Sequence, residues 1–283
     1  MRILHLAMGM PEFDAACTDL GHHVDRIDWG TLPYHERQLK LLDTCDHDVL
    51  FMQLQTPNVV APSILDAIKA KGTMVINWTG DVRDPIPDHY LDLALHVDIT
   101  AFTNWPDVET MQAIGHHSRF LQIGYDPTIY NTDRRNTRAD RIVFVGNDYG
   151  DRFPLSGDRR DKVTALHRAF PSRFSAYGKG FGKMLHKGAD AEVYKDALIA
   201  INLDHFNRRG FHSDRYLRSR ACGAYTIDGT ALSADALVAA VRAALDKRRD
   251  TADFGMLQAQ QTFDNDRWHN RINTIEQWRA SWS

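Results

Sequence analysis

The chain has 283 residues and a formal net charge of -3, with 43% hydrophobic and 25% charged residues. This length favours two domains of ordinary size, and the composition is that of a soluble globular protein with a sizeable core. The three cysteines are widely spaced and no apolar run is long enough for a signal peptide or a membrane span, which argues against a disulfide framework, a zinc ribbon and a membrane protein and favours a cytoplasmic location.

Strands and helices alternate through the first half of the chain. Apolar runs and helical spacing predict strands at 3–8, 24–27, 46–54, 73–78, 97–103 and 120–124, and helices at 11–20, 34–42, 63–70, 91–96 and 107–114. Because strands alternate with helices, we expect a parallel sheet with helices on both faces. Residues 125–138 are polar and broken by proline, and we interpret them as the connection between two domains.

The second half has the same organisation on a smaller scale. Its patterns predict strands at 141–145, 174–177, 197–203 and 224–227, and helices at 158–170, 190–197, 213–222, 233–247 and 266–282. The predicted fold class is therefore α/β, with two Rossmann-like open parallel-sheet domains that face each other across a cleft. Such a geometry suits transfer between a donor held by one half and an acceptor held by the other.

The loop at 204–212 and the helix after it form a candidate binding site. The loop leaves the carboxyl end of a predicted strand, which is where ligands bind in open α/β sheets. Ser213 is a plausible N-cap, and the helix start offers free N–H groups and a partial positive charge that suit a phosphate. Arg208, Arg209 and Arg215 would add cationic groups. The alternative is a capped surface helix with solvated arginines.

Two more loops at strand ends carry glycine, Gly146-Asn147 and Gly178-Lys179-Gly180. They match neither a phosphate loop nor a dinucleotide fingerprint, because no Ser or Thr follows the lysine and the glycine spacing differs. Adjacent histidines, as at 22–23 and 116–117, point apart and are poor chelates. The three loops together predict a nucleotide-diphosphate pocket with no metal site.

One set of motifs is specific enough to carry a resemblance. The segments 213–215 and 221–224, preceded by a strand that ends at 201–203, resemble the donor-site signature of GT-B glycosyltransferases. The chain is most similar to the family related to the spore maturation protein CgeB. The segments 78–83, 122–127, 144–147 and 268–272 fit the same family.

This resemblance implies a role for each domain. Residues 133–283 would bind a nucleotide-diphosphate sugar as co-substrate, and residues 1–132 would bind the acceptor, with the C-terminal helix crossing back to the first domain. The implied donor-binding residues are Gly146, Asn147, Lys179, Arg208, Ser213, Arg215 and Arg218. Asp81 would be a general base or an acceptor anchor, against the alternative that it only caps its loop, and Gly9, Trp78 and Arg83 would lie on the acceptor side.

The chain departs from the family at two positions. Many relatives carry a ribose-binding glutamate where this chain has Arg218, and often another where it has Gly210. Arginine has no acceptor for a ribose hydroxyl. Asp214 or Asp204 takes the role, the donor differs, or the site is degenerate. The alternative function is therefore a non-catalytic nucleotide- or sugar-binding protein.

Residues 131–190 contain thirteen Lys or Arg against seven Asp. Such an excess suits a phosphate-bearing ligand or a nucleic acid, although a solvated basic face is the commoner explanation for such a run. It is the only sequence support for DNA as a partner, in which case the acceptor would be a modified, hydroxymethylated base.

Overall fold

The computed structural model describes residues 1–43, 46–132, 138–186 and 188–282, which form two compact units. Unit 1 contains Met1–Gly124, Arg208–Phe211 and Trp268–Ser283, and unit 2 contains Tyr125–Asn207 and His212–Arg267. The first segment of unit 1 thus ends before the boundary at residues 132 and 133 that the sequence suggested, and residue 133 lies outside the described ranges.

Unit 1 is built on a six-stranded parallel sheet with the strand order β2-β1-β3-β4-β5-β6. Its strands are β1 (Arg2–Leu6), β2 (His23–Ile27), β3 (Val49–Met52), β4 (Met74–Thr79), β5 (Ile99–Phe102) and β6 (Ser118–Phe120). The helices between them are α1 (Pro11–Asp19), α2 (Tyr34–Asp43), α3 (Pro62–Ala70), α4 (Asp88–Ala94) and α5 (Trp105–Ala113). Strands β3, β4 and β5 are buried along their whole length, as expected for a sheet covered on both faces.

Unit 2 is built on a four-stranded parallel sheet with the order β10-β9-β7-β8. Its strands are β7 (Ala139–Val145), β8 (Phe174–Tyr177), β9 (Ala197–Asn202) and β10 (Tyr225–Asp228). Its helices are α6 (Ser156–Ala169), α7 (Ala189–Asp196), α8 (Asp214–Ala221), α9 (Ala234–Asp246) and α10 (Arg248–Asn265).

The last helix, α11 (Trp268–Ala280), follows unit 2 in the chain but belongs to unit 1. Trp268 is buried and its ring meets those of Trp78 and Phe13 edge-on, with centroids 5.4 and 5.6 Å apart. Gly124 makes room for it, because a methyl group at that position would lie 2.6 Å from the indole ring. The predicted return of the C-terminal helix to the first domain thus has a packing basis.

Helix α10 is absent from the sequence-based assignment. Its buried face consists of small or weakly polar residues, Thr251, Gly255, Ala259 and Thr262. Its exposed residues include the apolar Phe254, Met256, Leu257 and Phe263. This distribution is the reverse of the usual amphipathic pattern, so hydrophobic periodicity does not reveal the helix.

Strand β6 begins earlier than predicted, at Ser118 rather than at residue 120. Ser118 is buried and its Oγ donates to the Val108 carbonyl at 2.7 Å, so a polar residue begins a strand whose other two residues are half-buried. No helix within the described ranges is long and apolar enough to cross a membrane.

Candidate functional site

The site in unit 2 lies where the strand order reverses. Strand β7 is flanked by β8 on one side and by β9 on the other, so the connections leaving β7 and β9 run in opposite directions. In open α/β sheets the crevice at such a switch point is the usual ligand site. Here it is bordered by Gly146 after β7 and by Asp204 and His205 after β9.

A buried guanidinium occupies this switch point. Arg159, in the first turns of α6, is 1% exposed and lies over the rings of Phe144 and Phe181, 4.9 and 5.7 Å from their centroids. Its Nη1 donates to Nε2 of His205. Its Nε and Nη2 have no hydrogen-bond partner among the described residues. A methyl group at Gly146 would overlap with Nη2, so the glycine allows the cation to reach the end of β7.

Burial, followed by the nearby charge of Arg215, lowers the pKa of Arg159 to about 9. The group therefore remains charged at neutral pH, with two donors unused. Leaving a buried donor unsatisfied costs about 1–3 kcal/mol, and more when the group is charged. An anion placed against Gly146 would remove this penalty.

The start of α8 lies on the same edge of the sheet. Ser213 occupies the N-cap position as predicted, but its side chain makes no cap. Its Oγ instead donates to Asn202 Oδ1 at 3.2 Å, which ties the helix start to the end of β9. The serine therefore positions the helix and does not consume its first-turn N–H groups.

Arg215 and Asp204 complete the polar part of the site. Arg215 Nη2 lies 4.0 Å from Asp204 Oδ1, and Arg215 Nη1 lies 3.8 Å from Asp214 Oδ1. Asp204 is 3% exposed, and its Oδ2 accepts from Asn202 Nδ2 at 3.0 Å, whereas its Oδ1 has no hydrogen-bond partner in the described chain. Asp204 thus offers a buried acceptor oxygen beside Arg215.

The two glycine loops are tied together. Lys179 N donates to Asn147 Oδ1 at 2.9 Å, and Asp148 N donates to the Lys179 carbonyl at 2.7 Å. Gly178 has a φ of 113°, and a methyl group there would overlap with the Gly146 carbonyl. Asn147 therefore holds the loop geometry, and the exposed Lys179 side chain lies at its rim.

The Arg218 guanidinium is bound by side chains of unit 2. Its Nη1 lies 2.9 Å from Asp214 Oδ2 and 3.7 Å from Asp190 Oδ2, and its guanidinium lies over the Tyr130 ring at 5.0 Å. The Tyr130 hydroxyl also donates to Asp190, at 3.0 Å. Arg218 thus joins α8 to the first turn of α7 instead of presenting a free group to a ligand.

Arg208 and Gly210 lie in unit 1, although the sequence places them just before α8. Arg208 pairs with Asp84. Gly210 has a φ of 83°, and a methyl group there would lie 2.8 Å from Trp105 Cδ1 and 3.0 Å from Phe120. A side chain at position 210 would therefore be both strained and crowded, so glycine is the residue that fits there.

The acceptor-side candidates of unit 1 differ in their accessibility. Asp81, after β4, has a side chain that is 64% exposed and lies 3.7 Å from Arg83 Nη2, which donates to Gln55 Oε1 at 2.6 Å. The carbonyl of Gly9, after β1, accepts from Arg26. Trp78 is buried and its Nε1 donates to the Leu121 carbonyl at 2.8 Å, so its side chain has no surface to offer an acceptor.

A cavity of about 360 Å³ lies beside these residues in unit 1. Its lining is formed by Arg83, Asp84, Pro85, Ile86, Leu91, Pro106, Asp107, Thr110, Ile114 and Arg208. Burial raises the pKa of Asp107, although Asn104 Nδ2 donates to its carboxylate at 2.7 Å. The cavity combines charged groups at one side with an apolar wall.

Sequence reasoning missed Arg159 as a site residue. The available signal was helical spacing, because Ser156, Arg159, Val163 and Leu166 share the buried face of α6. An arginine in such a row is directed into the core and needs a partner there.

Several cations of the basic run at 131–190 have partners within the part of the chain that the structure describes. Arg138 is buried and donates to backbone carbonyls, Arg160 pairs with Asp148 and Asp151, and Lys162 pairs with Asp158. Arg134 and Arg135 lie outside the described residues. The structure thus assigns several of these cations to intramolecular contacts. No group of three or more His, Cys, Asp or Glu in the described chain could hold a metal ion.

Solved structures with the same fold include three that match nearly the whole chain. An α-glucosyltransferase in complex with UDP and a 13-mer DNA containing a central A:G mismatch gives a TM-score of 0.69 at 10% identity, over 99% of each chain. AviGT4, a glycosyltransferase involved in avilamycin A biosynthesis, gives 0.59 at 13% identity, over 98% of this chain and 97% of that one. A Listeria monocytogenes protein provisionally assigned as a UDP-N-acetylglucosamine 2-epimerase gives 0.55 at 10% identity, over 97% and 94%.

No protein-family model matches the chain, and no curated protein matches it. The structural likeness confirms the predicted fold class, an α/β protein with two Rossmann-like parallel-sheet units like those of GT-B glycosyltransferases. At 10–13% identity it shows the fold alone.

Proposed function

We propose that the protein is a glycosyltransferase that uses a nucleotide-diphosphate sugar. The observation that carries the proposal is the buried Arg159 guanidinium at the switch point of unit 2, with two unused donors against Gly146. A diphosphate supplies the negative charge and the several acceptor oxygens that this arrangement lacks. We assign donor binding to unit 2 and acceptor binding to the carboxyl edge of the unit 1 sheet.

The proposed reaction transfers the sugar from the diphosphate to an acceptor hydroxyl. The bond between the anomeric carbon and the diphosphate oxygen breaks, a bond to the acceptor oxygen forms, and the nucleoside diphosphate leaves with the bonding electrons. Arg159 and Arg215 would stabilise the charge that develops on the leaving group, without a metal ion. Asp81 would take the acceptor proton, since it is exposed on a loop at the end of β4.

Two features refine the donor site. Arg218 is occupied by Asp190 and Asp214, so we do not assign it to the donor, and we assign the ribose hydroxyls to Asp204, whose Oδ1 is free to accept. The motifs at 213–215 and 221–224 support a relationship to the CgeB-like transferases.

A modified base in DNA is one candidate for the acceptor, which is otherwise unspecified. It is favoured by the α-glucosyltransferase that binds UDP and DNA and matches 99% of the chain. If the acceptor is a modified base, the protein will bind duplex DNA with an affinity that falls steeply with salt. If duplex DNA at low salt does not shift the mobility of the protein, DNA is excluded as the acceptor.

The decisive experiment for the proposed function is calorimetric titration with UDP, GDP, ADP and dTDP, followed by incubation with the matching nucleotide sugars. We expect saturable binding of one nucleoside diphosphate and slow release of that diphosphate from its sugar. Binding without any release would favour a non-catalytic binding protein. Binding of none of the four would refute the donor site itself.

A further inference from the structure

His205 lies three residues after the end of β9 and packs in a cluster of aromatic rings. The ring of Phe153 lies 4.7 Å away and that of Tyr149 5.3 Å away, both from the connection between β7 and α6. The carbonyl of His205 also accepts from Leu155 N at 3.3 Å. Ring packing and a backbone hydrogen bond therefore hold His205 in addition to the bond that its Nε2 accepts from Arg159.

The imidazole is neutral. Burial, followed by the charges of Arg159 on α6 and Arg215 on α8, lowers the pKa of His205 to about 3, and Asp148 opposes this shift only in part. Nε2 faces the Nη1 donor of Arg159 and so must be the unprotonated nitrogen. The ring proton consequently lies on Nδ1.

Three donors in this pair have no acceptor. Nδ1 of His205 and Nε and Nη2 of Arg159 are all buried without a hydrogen-bond partner among the described residues. They belong to the two members of one hydrogen bond at the switch point. A ligand with several acceptor oxygens would satisfy all three donor atoms.

We propose that His205 is a positioning residue of the donor site, whose Nε2 fixes the Arg159 guanidinium and whose Nδ1–H donates to an oxygen of the bound diphosphate. The inference rests on the proposed function and extends it by one residue. Without His205, Arg159 loses the acceptor that aims Nε and Nη2, and Asp148 and Asp204 are the carboxylates toward which its charge is drawn. Diphosphate binding would then require the guanidinium to be reoriented.

The first test uses histidine ¹⁵N NMR of the free wild-type protein. We expect the signal of His205, assigned with the His205→Gln variant, to show the Nδ1–H tautomer and no titration between pH 5 and 8. Addition of inorganic pyrophosphate is expected to shift its Nδ1 resonance. An Nε2–H tautomer, a titration in that range or an unchanged Nδ1 would each overturn the proposal.

The second test compares two substitutions by calorimetry with UDP, pyrophosphate and uridine. His205→Phe keeps the ring packing but removes both nitrogens, and we expect it to weaken UDP and pyrophosphate binding about tenfold while uridine binding is unchanged. In His205→Gln, Oε1 can take the place of Nε2, so most of the affinity returns. His167→Phe, an exposed histidine of α6, is the matched control. Equal loss for uridine and UDP, or no rescue by glutamine, would indicate a merely structural role.

The two proposals fail in different ways. If pyrophosphate moves the His205 resonance but no nucleoside diphosphate binds, the proposed function is wrong and the arrangement of His205 and Arg159 stands. If UDP binds equally to the wild type and to His205→Phe, the donor site stands and the role of His205 is wrong.

Discussion

Replacing Arg159 by methionine separates binding from stability. Methionine keeps an unbranched apolar chain against the Phe144 and Phe181 rings but removes the buried charge. A hydrogen bond to a charged group is worth about 1.5–3 kcal/mol, so losing two to the diphosphate removes about 3 kcal/mol or more. We therefore expect the Kd of the bound nucleoside diphosphate, or of pyrophosphate, to rise about 100-fold.

The same substitution should stabilise the free protein. Arg159 is 1% exposed and has two donors without partners, so the folded state carries the desolvation penalty of a charge. Replacing a buried ion pair by apolar groups of similar volume is often neutral or stabilising by about 1–4 kcal/mol, and we expect the same direction for a buried cation with unsatisfied donors. Because His205 Nε2 then loses its partner, we expect a net gain of about 1 kcal/mol in the free energy of unfolding.

Urea unfolding without ligand and calorimetry with pyrophosphate measure the two effects. Arg168→Met removes an exposed arginine from the last turn of the same helix and is the matched control, which should change neither quantity. Reduced stability together with unchanged pyrophosphate affinity would refute the reasoning, because Arg159 would then be a structural cation.

Three further predictions concern packing, the Arg218 cluster and pH. Gly124→Ala places a methyl group 2.6 Å from the Trp268 ring and should lower the free energy of unfolding by about 1–3 kcal/mol in urea titration. An unchanged free energy of unfolding would contradict the packing of α11 against Gly124. Arg218→Met leaves Asp190 without its cation and should lower the free energy of unfolding by about 1–2 kcal/mol. Nucleotide affinity, measured by calorimetry, should stay within about threefold of the wild type. A large loss of affinity at unchanged stability would instead show that Arg218 belongs to the donor site. The folded-state pKa of His205, about 3, lies below its unfolded value, so the unfolded chain binds the extra proton and stability falls as pH drops from about 6.5 toward 3. Urea titrations at several pH values should show a shallower decline for His205→Phe than for the wild type, and equal slopes would contradict a neutral, buried imidazole.

Much of the fold was predictable from the sequence because its strands are continuous apolar runs. Strands β3, β4 and β9 are buried at every position, which is the pattern expected of parallel strands covered by helices on both faces. Helix α10 was not predictable in this way. Its buried stripe of Thr251, Gly255, Ala259 and Thr262 allows close approach to the backbone near Gly223, and small residues carry little hydrophobic signal.

The residues of the candidate site also differ in whether the local sequence could predict their roles. Loop chemistry pointed to Gly146, Ser213 and Arg215, since glycine turns and helix starts at strand ends have local signatures. The roles of Arg218 and Arg208 depend on partners far along the chain. Asp190 meets Arg218 across 28 residues, and Asp84 meets Arg208 across 124.

The sequence by itself determined the alternation of strands and helices and the two-sheet class, and it predicted the edge of the sheet at which we propose that a ligand binds. Each of these follows from local periodicity and turn chemistry. Tertiary structure alone decided that Arg159 keeps two unpartnered donor nitrogens among the described residues, because that depends on which carboxylates and carbonyls the fold brings near. The fold pairs Arg218 and Arg208 with aspartates and leaves Arg159 facing Gly146 and His205. Because the Arg159 cation is desolvated there, a bound anion would stabilise it.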